Sequence, residues 1–378
     1  MNSKTYNISD YVESIRTSHS EGTEQLGFHY TRLSEGKSSG VDQVTLNCGS
    51  KKLIVLPTRG MGIWEAENSG VRFGWDSPIQ GPVHPMFVPV AEPSGQGWLD
   101  GFDEMLARCG LASNGAPEFD DNGNLIWPLH GRVANLPASD VSIEIDEAAG
   151  KITIRGTVQE FRFHIQKLQL ETEISMELDS NEISISDRVT NLSNRPGSFQ
   201  MLYHCNFGSP ILEPGSRFHA PIKKLVPRDP HAASGIEQWD VYGPSDTEET
   251  EQVYFMELAA DENNDSITLL TNPDQSQGVS IGHNVSTLPC FTLWKNTVGF
   301  DDGYVTGLEP GTNFPNPRSF EEAQGRVVKL APGASETMKL QIGMLADAES
   351  VASAKQKIES LSVNDPEISQ SPTADWCS

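Results

Sequence analysis

Basic residues are scarce in this chain: 27 Lys+Arg stand against 52 Asp+Glu, a formal net charge of -25 over 378 residues. A field of that sign repels phosphate backbones and anionic headgroups, so neither nucleic acid nor a membrane surface is expected as a partner. Cysteine is rarer still. Cys48, Cys109, Cys205, Cys290 and Cys377 are scattered without a CxxC, which fits neither a disulfide framework nor a thiolate zinc site, and free, mostly buried thiols are expected. No apolar run approaches the ~18 residues of a membrane-spanning helix. The N-terminal MNSKTYNISDYVES lacks the apolar centre of a secretory signal, and a soluble, cytoplasmic protein is the expectation. The histidines and acids form no HxH or HExxH, and neither GxxxxGK[ST] nor GxGxxG occurs, so no metal, nucleotide or other cofactor is expected.

Glycine and proline, by contrast, are plentiful (33 and 24), as many short strands joined by turns require. From residue 141 onward VSIEID, KITIRGTV, FRFHIQ, KLQLETEISMEL and EISISDRVTNLS alternate apolar and polar side chains, the period of a strand with one buried face. Further strands are expected at SKKLIVLP, QVYFMELAA, SITLLTN, GVSIGHN, CFTLWKN, GYVTGLEP, GRVVKLAP and SETMKLQIGML. So many strands cannot stay one flat layer, and an all-β, two-sheet sandwich with a few short peripheral helices follows. The spacing predicts helices in WLDGFDEMLARCGL, through Leu99, Phe102, Met105 and Leu106, and in AESVASAKQKIESL, through Val351, Ala354, Ile358 and Leu361. The organisation reads as an N-terminal extension (1–25), one β domain (26–348), and a C-terminal helix with a mobile tail (349–378).

Three segments carry candidate chemistry. In QMLYHCNFGSP, residues 200–210, strand alternation turns Met201, Tyr203, Cys205 and Phe207 to one face and puts His204 and Asn206 together on the other. In GYVTGLEPGTNFPNP, Glu309 is followed by Pro310, which is expected to end ladder pairing and leave the carboxylate at a strand end. In WPLHGRVANLP, His130 precedes a glycine that lets a ligand or backbone approach, and Arg132 follows two residues on. His204 alone fits more readily a histidine satisfied by local backbone groups, and Glu309 alone a solvated strand terminus.

LHGR, YHCNFG and GLEPGTNFPN, in this order, resemble the motifs of the aldose 1-epimerase (galactose mutarotase-like) superfamily. LPTRGMGIWEA, CGLASNG and the WK before GLEP look more like an uncharacterised aldose-epimerase-like branch. The resemblance spans roughly residues 45–345. It implies a β-supersandwich with an open carbohydrate cleft, a small-molecule sugar as partner, and interconversion of α and β anomers without a cofactor. Glu309 would remove the anomeric hydroxyl proton, His204 would protonate the ring oxygen, and His130 would hydrogen-bond the sugar. A hemiacetal needs one base and one acid on adjacent oxygens, which suits these residue types. With ordinary pKa values of ~4.3 and ~6.5, the glutamate base is ready at neutral pH, whereas the imidazolium needs support from its surroundings.

Arg59 and Arg132 lie in family-like motifs and fit either sugar ligands or structural ion pairs. Asn206 and Asn313 lie beside the candidate acid and base, and are placed among the sugar-contacting residues. His283, Trp294 and Lys295 are further candidates, Trp294 as a platform for a sugar's C–H face or as core filler. His84 and His164 read as structural. Cys205 and Asn206 stand where the galactose enzymes usually carry an aromatic residue, so the sugar cannot be inherited. The alternative functions are a carbohydrate-binding or sensing protein without turnover, and a glycoside hydrolase or lyase, which would normally need two carboxylates.

Overall fold

A computed structural model describes residues 3–12, 18–248 and 250–378. Among these, two large sheets face each other. The smaller has nine strands, in the order Ser3–Asn7, Ser139–Asp146, Lys151–Arg162, Gln166–Glu177, Glu182–Asn191, Ser335–Leu345, Gly278–Asn284, Asp265–Thr271, Arg217–His219. The larger has fourteen, and through its middle run Gly62–Asn68, Leu106–Leu111, Gly197–Phe207, Val305–Gly311, Cys290–Asn296 and Gln252–Leu258. The alternation read from the sequence governs both. Ile152, Ile154, Ile174, Ile183, Ile185, Leu340 and Ile342 point inward from one sheet and meet Met201, Tyr203, Cys205, Leu293 and Leu308 from the other in one continuous core. The expected sandwich is the observed fold.

One buried ion pair ties the sheets. Arg108, on Leu106–Leu111, donates from Nε to Asp187 Oδ2 at 2.6 Å and from Nη2 to Asp187 Oδ1 at 3.1 Å. Its remaining donors reach Thr172 Oγ1 and Met61 O. A two-pronged geometry with every prong satisfied offsets the cost of removing both charges from water.

Several local expectations give way to longer-range forces. WLDGFDEMLARCGL is not a helix: Gly97–Gly101 makes one 3-10 turn and Leu106–Leu111 is a central strand. Pairing to Gly197–Phe207 claims the second half, and helical spacing of four apolar residues cannot compete with a ladder. FRFHIQ is a hairpin rather than a strand, with His164 at its tip at φ 66°. Pro310 does not end its strand either, because Val305–Gly311 continues through it against Cys290–Asn296. Only the ladder to Gly197–Phe207 skips Glu309 and Pro310. The helix Ala348–Leu361 forms as expected, but the segment beyond is not a free tail. Glu367–Ile368 pairs in parallel with Ile222–Pro227, and Trp376 packs on Phe314 at 4.7 Å between ring centroids. At the other end, Ser3–Asn7 joins one sheet and Ser18–Gly22 the other.

Candidate active site

The core occupies only one face of the larger sheet. On the opposite face Ala107, Cys109, Leu202 and Val305 carry a small second cluster with Trp75, Trp98 and Phe102, and Leu129 and Trp294 pack against its edge. Beside this cluster lies a cavity of about 310 Å³. Its floor is His204, Glu309, Thr292, Trp294 and Val253, all from central strands. Its walls are Trp98, Leu99, Phe102, Leu129, His130, Arg228, Glu251 and Pro315, from the loops above.

The register that pairs Leu202 with Gly311 and Cys205 with Leu308 sets His204 opposite Glu309, where cross-strand side chains are neighbours. His204 Nε2 lies 3.3 Å from Glu309 Oε1. Behind the imidazole, Asn206 Nδ2 donates to Glu104 O and His204 O, which leaves its Oδ1 to accept from His204 Nδ1 at 2.6 Å. Nδ1 therefore carries a proton, and Nε2 is the nitrogen left to exchange one with Glu309. His130 is held the same way: its Nδ1 donates to Asn114 O at 2.9 Å, and its ring meets His204 edge-on at 5.2 Å and Trp98 at 4.6 Å. Left-handed φ at His130 and Gly131 (55° and 74°) makes the bend that presents the ring, and a Cβ on Gly131 would strike Ser113 O.

Electrostatics set the proton count. Burial pushes the Glu309 carboxyl well above the usual carboxylate range, with Glu251 adding to the rise. Burial, then His130, holds His204 well below the usual imidazole range, and burial brings His130 down to about 4. Desolvation therefore disfavours both charged forms, an ionised Glu309 and a protonated His204. The sequence reading expects an ionised glutamate and a histidine whose protonated form needs support; burial works against both of these charges. Three buried polar atoms of the lining, Glu309 Oε1, Thr292 Oγ1 and Trp98 Nε1, have no hydrogen-bond partner, a cost a hydroxyl-bearing ligand would relieve.

The other predicted residues fall elsewhere. Arg59 is fully buried, donating to Glu104 Oε1 and Gly101 O at 2.7 Å and to Asn135, so it anchors the wall segment from behind. Arg132 lies outside the cavity, its Nε buried and unpartnered. Asn206 supports His204, and Asn313 bonds reciprocally with Asn114, both fully buried. Lys295 points to the opposite face from Trp294, donating to Gln238 O and Val241 O. His283 belongs to the other sheet, where it lines a separate cavity of about 360 Å³ with Ser184, Ser280, Lys339 and Gln341. Asp240 pairs with Arg217 outside this cavity. No group of three or more His, Cys, Asp or Glu side chains able to hold a metal occurs among the described residues.

Sequence reasoning missed Trp98, Phe102, Thr292, Arg228 and Glu251. Thr292 was reachable, since it stands two residues before Trp294 and shares its face. The loop residues carry no period. Glu251 accepts from Trp294 Nε1 at 2.7 Å and pairs with Arg228 at 3.0 Å, and Arg228 also holds Asp229.

The two-sheet sandwich is the galactose mutarotase-like fold. The chain belongs to the family described as a domain of unknown function, DUF4432, which matches residues 38–344. A candidate aldose 1-epimerase from Klebsiella pneumoniae superposes with a TM-score of 0.93 at 36% identity, over 99% of this chain and all of the other. A galactose mutarotase-like protein from Clostridium acetobutylicum (TM-score 0.58, 14% identity, 85% of this chain and 98% of the other) shares the fold. So does galactose 1-epimerase from Lactobacillus acidophilus NCFM (0.56, 11%, 84% and 98%). No curated protein matches the chain.

Proposed function

We propose that the protein interconverts the anomers of a free, uncharged sugar by general acid and base catalysis in this cavity. The observation that carries the reading is the buried His204–Glu309 pair, 3.3 Å apart and facing the cavity; the mechanism needs one proton on that pair. The member without the proton takes one from the anomeric hydroxyl, and the member with it protonates the ring oxygen. The C1–O5 bond breaks to give the open-chain aldehyde. Rotation about C1–C2 and the reverse transfers close the ring on the other face, so no proton is gained or lost overall. His130, through its Nε2, accepts a hydrogen bond from a sugar hydroxyl, and Trp294 and Phe102 offer apolar faces to ring C–H groups.

An uncharged substrate follows from the cavity's charges. Among the described residues that line it, the one Lys or Arg is Arg228, already paired with Asp229 and Glu251, so a phosphate or carboxylate substituent would meet no unpaired cation among them. A glycosidase reading would require Glu251 as the second carboxylate, and Arg228 and Trp294 already engage it.

The test is NMR exchange between anomers on a panel of free sugars, run beside a glycosidic-cleavage assay. Glu309→Gln keeps the shape and loses the exchangeable proton, so exchange falls on the order of 10²-fold or more while sugar binding survives. Near-normal exchange in that variant would overturn the mechanism. Sugar binding without exchange in the wild type would replace it with a binding protein.

A further inference from the structure

In a chain with twice as many acids as bases, an arginine without a carboxylate is an anomaly. Nine of the thirteen described arginines are ion-paired. The four that are not, Arg132, Arg162, Arg195 and Arg318, gather at one place, around the hairpin joining Lys151–Arg162 to Gln166–Glu177. Arg162 lies close enough to Arg132 to lower its pKa, second to burial. Arg195 donates to His164 O at the hairpin tip. Arg195, Arg318 and Lys167 line a cavity of about 320 Å³, distinct from the sugar cavity and walled also by Trp127, Ser193 and Ser198.

Arg318 is the built part of this cavity. Its guanidinium donates to Ala112 O and to Ser198 Oγ, the latter at 2.7 Å, and stacks 5.5 Å from the Trp127 ring centre. Those partners fix its orientation but carry no charge. The carboxylates that act on it through space are taken: Glu118 accepts from Ser319 N, Glu160 from Leu111 N, Ala112 N and Gln166, and Glu322 from Lys329. Burial accordingly lowers the Arg318 pKa, as for a cation with its counterion missing. Like charges brought together at a cavity, in a molecule with acids to spare, cost stability unless something anionic completes them.

We propose that this cavity is a second ligand site, for a small organic anion bearing a carboxylate or a phosphate, held by Arg318, Arg195 and Lys167. The planar guanidinium of Arg318 offers the directional contact, the two exposed cations the field, and Trp127 an apolar wall.

The test titrates the full-length protein with inorganic phosphate and, separately, with acetate. Ionic strength is held constant with chloride, and binding is read by thermal unfolding and by ³¹P or ¹³C line broadening. A saturable response to either anion beyond the chloride control is expected, and the stronger arm names the class. Arg318→Gln weakens it at least tenfold; Arg195→Gln, on an exposed side chain that threatens no core packing, weakens it severalfold. Glu309→Gln leaves it unchanged, which separates this site from the sugar cavity. A response no larger than chloride's, or one undiminished in both arginine variants, would overturn the proposal.

Discussion

His204 and Glu309 are cross-strand partners at the one stretch where the ladder between their strands is interrupted. The missing N–H of Pro310 relaxes the pairing there, and the two side chains face each other at 3.3 Å over a cavity instead of being packed beneath a third layer.

The pH dependence follows from their shifted affinities. The proposed mechanism requires a working form with one proton on the pair. As pH falls, His204 takes a second, and because burial and His130 hold its pKa well down, this acid limb lies below the ordinary imidazole value of ~6.5. As pH rises, the last proton leaves Glu309, whose pKa burial and Glu251 push up, so the alkaline limb lies above the ordinary ~4.3. Exchange rates across pH 4 to 10 should show a plateau at neutral pH. A loss of rate centred at 6.5 on acidification would show that the imidazole is not held down.

Asn206→Asp should move the acid limb, at some cost in stability, because its second oxygen meets the Glu104 and His204 carbonyls to which Asn206 Nδ2 donates. A carboxylate at this place accepts the same hydrogen bond from His204 Nδ1 but favours the imidazolium, so His204 protonates at higher pH and activity at pH 6 falls relative to pH 8. Asn206→Ala frees the ring to rotate and should lower exchange about tenfold at every pH, since such supporting partners commonly matter at that level.

Gly307→Ala tests the space around the carboxylate. Gly307 shares a face with Glu309, and a Cβ there would lie 2.3 Å from Glu309 Oε1 and 3.1 Å from His204 Cε1. The methyl group displaces the carboxylate from its partner, and exchange should fall by at least tenfold with unchanged far-ultraviolet circular dichroism.

Arg108→Met should destabilise the sandwich by about 3–5 kcal/mol, because it leaves Asp187 buried and uncompensated. The double variant Arg108→Met, Asp187→Leu removes both charges and should recover most of that loss. Denaturant unfolding of the two variants measures the difference, and an additive loss would mean that the pair is not what ties the sheets.

The sandwich was legible because strand alternation is written into the chain wherever one face is buried. The same rule placed His204 opposite the core-facing Tyr203 and Cys205, and applied strictly it separates Trp294 from Lys295. It does not reveal which sheet a strand joins. His283 and His204 sit in similar strand contexts, yet one lines the other sheet's cavity. The walls were not legible at all. Trp98 and Phe102 are set by a buried Arg59–Glu104 pair 45 positions apart, and Arg228 and Glu251 by each other, contacts that leave no periodic trace. The helical spacing in 99–106 was real and lost to ladder pairing, which adds one partner strand's worth of backbone bonds that a short surface helix cannot match.

The cavity's placement on the far side of the sheet from the inter-sheet core has an evolutionary corollary. Its walls are loops whose replacement disturbs none of the side chains that hold the two sheets together. On the proposed function, the residues that choose the ligand can therefore change while His204 and Glu309 keep their places in the two strands. Substrate preference and thermal endurance are free to be selected on different residues.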